Sequence, residues 1–201
     1  MTYVKWTFRL LLALLVAATL HYTLPGRDIV RIVGVENRRV DFGDNVWFWA
    51  QPDVGSGENT TRDVRFIMTV RPSGRERVYR NEDTGWGWPP YFKLNSSNLQ
   101  ARAADNISSS DAPRWVAITH YGWRSEFLTI FPNAIRITPV EGPDVRLIPW
   151  FNIVFVTIFA LAVLTLWRFW QIFRRTRIAP ALARVDSVWE RVTRRFRGGP
   201  H

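Results

Sequence analysis

Leu147-Ile-Pro-Trp-Phe-Asn-Ile-Val-Phe-Val-Thr-Ile-Phe-Ala-Leu-Ala-Val-Leu-Thr-Leu-Trp167 is a run of 21 residues without a charge. As a helix it would be about 30 Å long, the thickness of a bilayer's hydrocarbon core. Trp150 stands at one end, Trp167 and Trp170 at the other. An indole ring suits the headgroup level, because it is apolar with one polar N–H. Arg168, Arg174, Arg175 and Arg177 follow. Core helices of soluble proteins seldom run this far uncharged, so the stretch reads as a transmembrane helix, assigned to residues 147–173. The rest of the chain takes its side of the membrane from it.

Upstream, residues 1–26 form a second apolar segment. Lys5 and Arg9 precede a charge-free run from Leu10 to Gly26, 17 residues in all. Arg9 can snorkel and Trp6 can anchor at the interface. A cleaved signal peptide has the same outline. His21, Tyr22 and Pro25 stand where cleavage would need small residues. A retained transmembrane anchor is therefore preferred.

Charge fixes the expected topology. The chain has 201 residues, 27 of them basic and 17 acidic, for a net charge of +10. Residues 27–146 hold 16 basic and 15 acidic side chains, so the excess lies beside the apolar segments. Nine arginines follow the uncharged run that ends at Trp167. Basic flanks stay cytoplasmic, which places both termini inside and the middle domain in a bacterial periplasm. A nearly neutral middle also argues against nucleic-acid binding. With no cysteine in the chain, disulfides, thiolate metal sites and a cysteine nucleophile are excluded.

The middle domain, residues 27–146, reads as mainly β, with some seven short strands and one helix. The strand candidates are Asp28–Val35, Val46–Ala50, Asp63–Arg71, Glu76–Arg80, Arg114–His120, Glu126–Phe131 and Ala134–Thr138. On the third, Val64, Phe66, Met68 and Val70 share one face, with Ile67 as the exception. Pro72-Ser73-Gly74 predicts a hairpin turn. Tyr121-Gly122-Trp123 suggests another, joining 114–120 to 126–131. Ser97-Asn-Leu-Gln100 matches a capping box and predicts a helix over 98–107. The expected fold is a compact sandwich or partly open barrel between two transmembrane helices. Gln51–Thr61 and Ser108–Pro113 read as polar loops. In the tail, residues 174–201, Ile178, Leu182, Val185, Trp189, Val192 and Phe196 fall on one helical stripe among arginines. That suits an amphipathic helix on an anionic leaflet, with Trp189 as a further anchor. A partly disordered tail that only enforces topology is the alternative.

The most singular segment is Asn81-Glu-Asp-Thr-Gly-Trp-Gly-Trp-Pro-Pro-Tyr-Phe-Lys93. Its glycines and prolines exclude a regular helix or a central strand. Trp86, Trp88, Tyr91 and Phe92 could close the end of the β core, contact a partner subunit, or stack on a ligand with help from Glu82 or Asp83. His120 is the one histidine of the domain, and reads as a structural residue at a strand end. A catalytic role would need an acidic partner in reach. No Walker, haem-attachment or nucleophile-elbow motif is present, and no cofactor or metal is expected.

Val40-Asp-Phe-Gly43, Trp47-Phe-Trp-Ala50, Arg62–Ile67, Val78–Lys93 and Thr119-His-Tyr-Gly-Trp-Arg124 together resemble an alphaproteobacterial membrane-protein family of unknown function. The likeness runs from the first span to about Val140. It implies a bacterial inner-membrane home and transfers no catalytic residue. The sequence thus suggests a non-enzymatic accessory or assembly subunit of a larger membrane complex, respiratory or photosynthetic, with the lipid bilayer and an integral-membrane protein as partners. The alternative is a periplasmic ligand-binding or sensor module that uses the aromatic 82–93 loop.

Overall fold

A computed structural model of the chain describes residues 2–41 and 61–180. The expected strand Val46–Ala50, nearly all of the loop Gln51–Thr61, and the amphipathic tail helix with Trp189 lie outside the described residues. The chain divides into two compact units, Met1–Pro149 and Trp150–His201.

The first unit opens with helix α1, Thr2–Thr23. Two residues later strand β1 begins and runs from Gly26 to Asp41. Strands β2 (Thr61–Val70) and β3 (Glu76–Arg80) follow, then helix α2 (Ser96–Asp105), β4 (Trp115–Tyr121) and β5 (Asn133–Pro139). The strands close into a barrel in the order β1-β2-β3-β5-β4. With the helix between the third and fourth strands, this is the arrangement of the OB fold, a five-stranded Greek-key barrel. The sandwich alternative falls away, and the barrel is closed rather than partly open.

Closure depends on β1, which serves two neighbours. Its first residues pair with β4, from Gly26 opposite His120 to Arg31 opposite Trp115. The remainder pairs with β2, from Arg31 opposite Val70 to Asp41 opposite Thr61. The register shifts between Ile32 and Gly34, a bulge of the kind that bends a strand and lets it change partners. A Cβ on Gly34 would meet the Met68 methyl at 2.9 Å, so glycine is what admits that side chain. The hairpin at Pro72-Ser73-Gly74 forms as expected, with Gly74 at φ 78°.

The core corrects the face assigned to β2. Ile67 points into the barrel beside Val30, Ile32, Tyr79, Val116, Ile118 and Ile137, and α2 covers it with Leu99 and Ala103. Val64 and Phe66 form a separate cluster with Val78 and Phe131. Two apolar faces exist here, and the alternating pattern identifies the smaller one. The segment Glu126–Phe131 is also not a strand. Its one bridge, Ser125 to Ile130, closes a loop on itself, and β4 takes β5 as its partner instead.

Helix α2 starts earlier than the capping box implies. Ser96 is its first residue and Asn95 precedes it, with no side-chain bond from Asn95. The Asp83 carboxylate accepts from the Ser96 backbone N–H (2.9 Å) and hydroxyl (2.6 Å). Gln100 accepts instead from the Asn81 amide (2.8 Å). The cap comes from a distant loop, whereas the reciprocal motif looks only within the helix.

The second unit begins with helix α3, Trp150–Phe173, which continues through a π-helical turn, Arg174–Ile178. Among the described residues, two helices are long and apolar enough to cross a membrane. Tyr3–Thr23 has mean hydropathy 1.5, and Trp150–Ile178 has 2.1.

Candidate functional site

Register places three features at one end of the barrel. Gly26 follows α1 closely and lies opposite His120, so the end of β4 is beside the helix junction. Tyr121 faces Asn133 and Arg80 faces Asn133, which brings the start of β5 and the end of β3 there too. The β3–α2 loop (81–95) and the β4–β5 loop (122–132) therefore both leave the barrel where α1 enters.

Both loops grip the last turn of α1. The Gly122 N–H donates to the Tyr22 carbonyl at 2.9 Å. The Tyr91 hydroxyl donates to the Thr23 carbonyl. The Trp123 indole N–H donates to His21 Nδ1 at 2.8 Å. Rings fill the space between these bonds. Tyr91 stacks on Tyr121 with centroids 4.9 Å apart, and Tyr22 meets Trp123 edge-on at 5.3 Å. Gly122 sits at φ 91°, with the Tyr22 ring 3.7 Å from where a Cβ would stand. The backbone conformation, not lack of space, makes a side chain there strained.

The base of the 81–93 loop is a buried polar network. The Asn133 amide clasps the Glu82 backbone, accepting from its N–H and donating to its carbonyl, both at 3.0 Å. Arg80 and Glu82 form a buried ion pair at 3.0 Å. Lys93 Nζ donates to Asn81 Oδ1 (2.6 Å) and to the Glu82 carbonyl (3.1 Å). Burial brings the Lys93 ammonium down to about 7, against the opposing charges of Asp83 and Glu82. Neither Glu82 nor Asp83 turns toward the indoles.

The tip of the loop is different. Trp86 is 92% exposed and Trp88 is 71% exposed, while Pro89 beneath them is buried after a cis Trp88–Pro89 bond. Trp86 meets Phe92 edge-on at 5.1 Å. Trp86 and Trp88 therefore do not close the core. On the β4–β5 loop, Phe127 is 95% exposed. That loop is pinned by Arg124, whose guanidinium lies 4.4 Å from the Phe131 ring centre.

A second polar centre surrounds Asp28. Its carboxylate accepts from the Tyr79 hydroxyl (2.5 Å), His120 Nε2 (3.1 Å) and Arg71 (3.1 Å), and Arg77 Nε lies 3.3 Å away. Burial would raise the Asp28 carboxyl, but the bonds from His120 and Tyr79 and the charges of His120 and Arg77 outweigh it. They hold it well below the usual carboxylate range. His120 thus has the acidic partner that a catalytic role would require. Its other ring nitrogen, Nδ1, is buried without a hydrogen-bond partner among the described residues. Among the described residues, no group of three or more His, Asp or Glu could hold a metal ion.

Comparison with known proteins identifies the family. The model described as "Protein of unknown function (DUF1523)" matches residues 1–174. The chain belongs to this family. An uncharacterized protein of Haemophilus influenzae is 37% identical over 142 residues, which cover 69% of this chain and 77% of the relative. No solved structure matches. The family is of unknown function, as the resemblance implied. The DUF1523 match extends past Val140 through the second apolar helix, further than the residues that carry the resemblance. Neither match bears on an alphaproteobacterial source.

Of the predicted contact residues in this DUF1523 chain, Trp86, Trp88 and Phe92 are exposed, Tyr91 is bound to α1, and Glu82 and Asp83 serve the loop's own scaffold. The expected anchors Trp6, Trp150, Trp167 and Trp170 are exposed on their helices, and Arg9 lies 5.2 Å over the Trp6 ring. Sequence reasoning missed Phe127 and the grip of Trp123 on His21. The signal available was the uncharged run from Phe127 to Ile135, most of which reads as strand by composition.

Proposed function

We propose that this chain is a non-enzymatic protein of the bacterial inner membrane. In this reading α1 and α3 span the bilayer, the barrel lies in the periplasm and both termini are cytoplasmic. It acts as an accessory or assembly subunit of a larger membrane complex, of the respiratory or photosynthetic kind. The observation that carries the reading is the junction at the end of α1. Two residues and three hydrogen bonds hold a small barrel tightly against an apolar helix whose sides are uncovered. The segment ahead of the second helix supports it. Residues 143–147 line an open groove with Arg27, Asp28, Ile29 and the β2–β3 hairpin at Arg71, Pro72 and Ser73, so this segment comes back to the first residues of β1. The many bonds that Asp28, Asn81, Lys93 and Asn133 make within the fold suit a scaffold. The test is gentle detergent extraction of the tagged chain from its host's membranes, followed by native sizing. A larger particle with a discrete co-purifying membrane protein supports the proposal. A monodisperse monomer overturns it.

A second reading, as a periplasmic ligand-binding or sensor module, has one observation in its favour. An open groove of about 420 Å³ lies between the 91–95 segment, α2 and β5, lined by Tyr91, Phe92, Asn98, Arg102 and Arg136 among others. It suits an anion with an apolar part, and it lies away from Trp86 and Trp88. Thermal-shift screening of small carboxylates and phosphates would detect such a ligand. A shift lost in Arg102→Ala would favour this reading.

A further inference from the structure

The two loops that grip α1 share a composition. Residues 84–92 of the first and 127–132 of the second contain no charged side chain, and Arg124 and Glu126 precede the latter stretch. The charges that flank the first of them are engaged within the fold, Asp83 on Ser96 and Lys93 on Asn81. Apart from Glu126, which is 90% exposed beside Phe127, the large side chains that these loops present to solvent are mainly aromatic: Trp86, Trp88, Phe92 and Phe127. Isolated exposed apolar residues are ordinary. A cluster on two separate loops, at the one end of the barrel that meets an apolar helix, is not explained by chance exposure.

The length of α1 gives that end a position. Its charge-free helical part, Leu10–Thr23, is about 21 Å long at 1.5 Å per residue. The hydrocarbon core is about 30 Å thick. A short span draws its flanking groups toward the membrane or thins the bilayer around it. Lys5, Trp6 and Arg9 can make up the difference at one end. At the other end no spacer is available, because β1 starts at Gly26 and the loops are bonded to Tyr22, Thr23 and His21. Those loops must then lie at headgroup depth. Trp88 is three residues from Tyr91, and Phe127 is four from Trp123. At no more than about 3.6 Å per residue, each stays close to the helix end.

We propose that Trp86, Trp88, Phe92 and Phe127 form a lipid-contacting rim that seats the barrel in the headgroup layer of the leaflet where α1 emerges. The occupant of this surface is phospholipid. Tryptophan and phenylalanine on rigid loops suit that layer, since their rings leave water without abandoning the polar zone. The proposal rests on the reading of α1 as a span.

The absence of cysteine from the chain makes the test direct. Single cysteines replace Trp86, Trp88 or Phe127, each in the full chain, and carry a nitroxide label. Ser110→Cys is the water reference, because it is exposed on the α2–β4 loop, at the opposite end of β4. Leu14→Cys is the membrane reference in α1. The labelled proteins are placed in nanodiscs of phosphatidylglycerol and phosphatidylcholine. Collision rates with oxygen and with a water-soluble nickel chelate are then measured. The rim labels should show an oxygen-to-nickel ratio severalfold above that of residue 110 and below that of residue 14. Rim ratios equal to that of residue 110, with residue 14 in lipid, overturn the rim and leave the span intact. A water-like ratio at residue 14 overturns the span reading itself. Rim labels shielded from both reagents would mean a protein contact, and would also overturn the proposal. The native side chains are largely exposed, so the exchanges do not disturb the core.

Discussion

Asp28, half-buried, and Lys93, buried, are charges with opposite relations to pH. Asp28 is held below its ordinary range, so its contribution is present above the unfolded pKa, about 3.9, and is lost as pH falls through the folded value. Asp28→Asn would leave Arg71, Arg77 and His120 without their anion. The expected cost at pH 7 is about 2–4 kcal/mol. Thermal unfolding of the detergent-solubilised chain should show the gap between variant and wild type constant from pH 7 to about pH 5, and closing only below the unfolded pKa. Lys93 runs the other way. Its folded value of about 7 lies below the unfolded one, near 10.4, so the unfolded chain binds more protons between them and stability rises with pH. The wild type should gain about 2 kcal/mol from pH 7 to pH 9 on this account. Lys93→Met should abolish that rise, while losing about 1–3 kcal/mol at all pH values from the lost bond to Asn81 Oδ1. Retention of the same slope in the Lys93→Met variant would refute the assignment. Neither behaviour was legible in the sequence. His120 reads as a residue at a strand end, but its carboxylate partner lies 92 residues away, and Lys93 reads as the polar end of a loop.

At the level of the element, α2 shows what local pattern can and cannot supply. The helix itself was legible from the capping-box match at Ser97–Gln100. Its start was not, because the acceptor for the Ser96 N–H belongs to Asp83 in a loop anchored by β3 and β5. Asp83→Ala should therefore cost about 1 kcal/mol, the usual worth of an N-cap. Ser97→Ala should change stability by less than about 0.5 kcal/mol, where the capping-box reading would reverse that order. Equilibrium denaturation of the two variants decides between them. Strand β2 carries the same lesson. Its alternation was real, but Val64 and Phe66 are held by Phe131 from a loop, while the barrel takes Ile67. Period-2 patterning gives the faces of a strand, and only the closed barrel says which face is inside.

For the whole molecule, the order of apolar and mixed segments was readable, because length and charge alone determine what can cross a bilayer. The closing of the barrel was not, since it rests on a bulge at Val33 and on pairings between segments far apart in the chain. Reporter fusions after residue 26 and after residue 177 should report opposite sides of the membrane. Signals on the same side would show that α3 does not cross. Deleting the arginines after the second helix should weaken the asymmetry without affecting the barrel, because the positive flank acts on orientation and the domain's own charges nearly balance.

The double pairing of β1 also imposes an order on biosynthesis. This strand leaves the ribosome first among the five, yet its initial stretch, 26–31, has to wait for residues 115–120 before its hydrogen bonds are met. Pairing across so long a loop is slow. In the interval the strand is an open edge, a template for the wrong neighbour. Its sequence bears the mark of that exposure: Arg27, Asp28, Arg31, Glu36, Arg38, Arg39 and Asp41 punctuate the apolar residues along its length. Charges at this spacing discourage a nascent strand from stacking on copies of itself. The residues that guard β1 while it waits thus belong to the history of the barrel as much as to its finished surface.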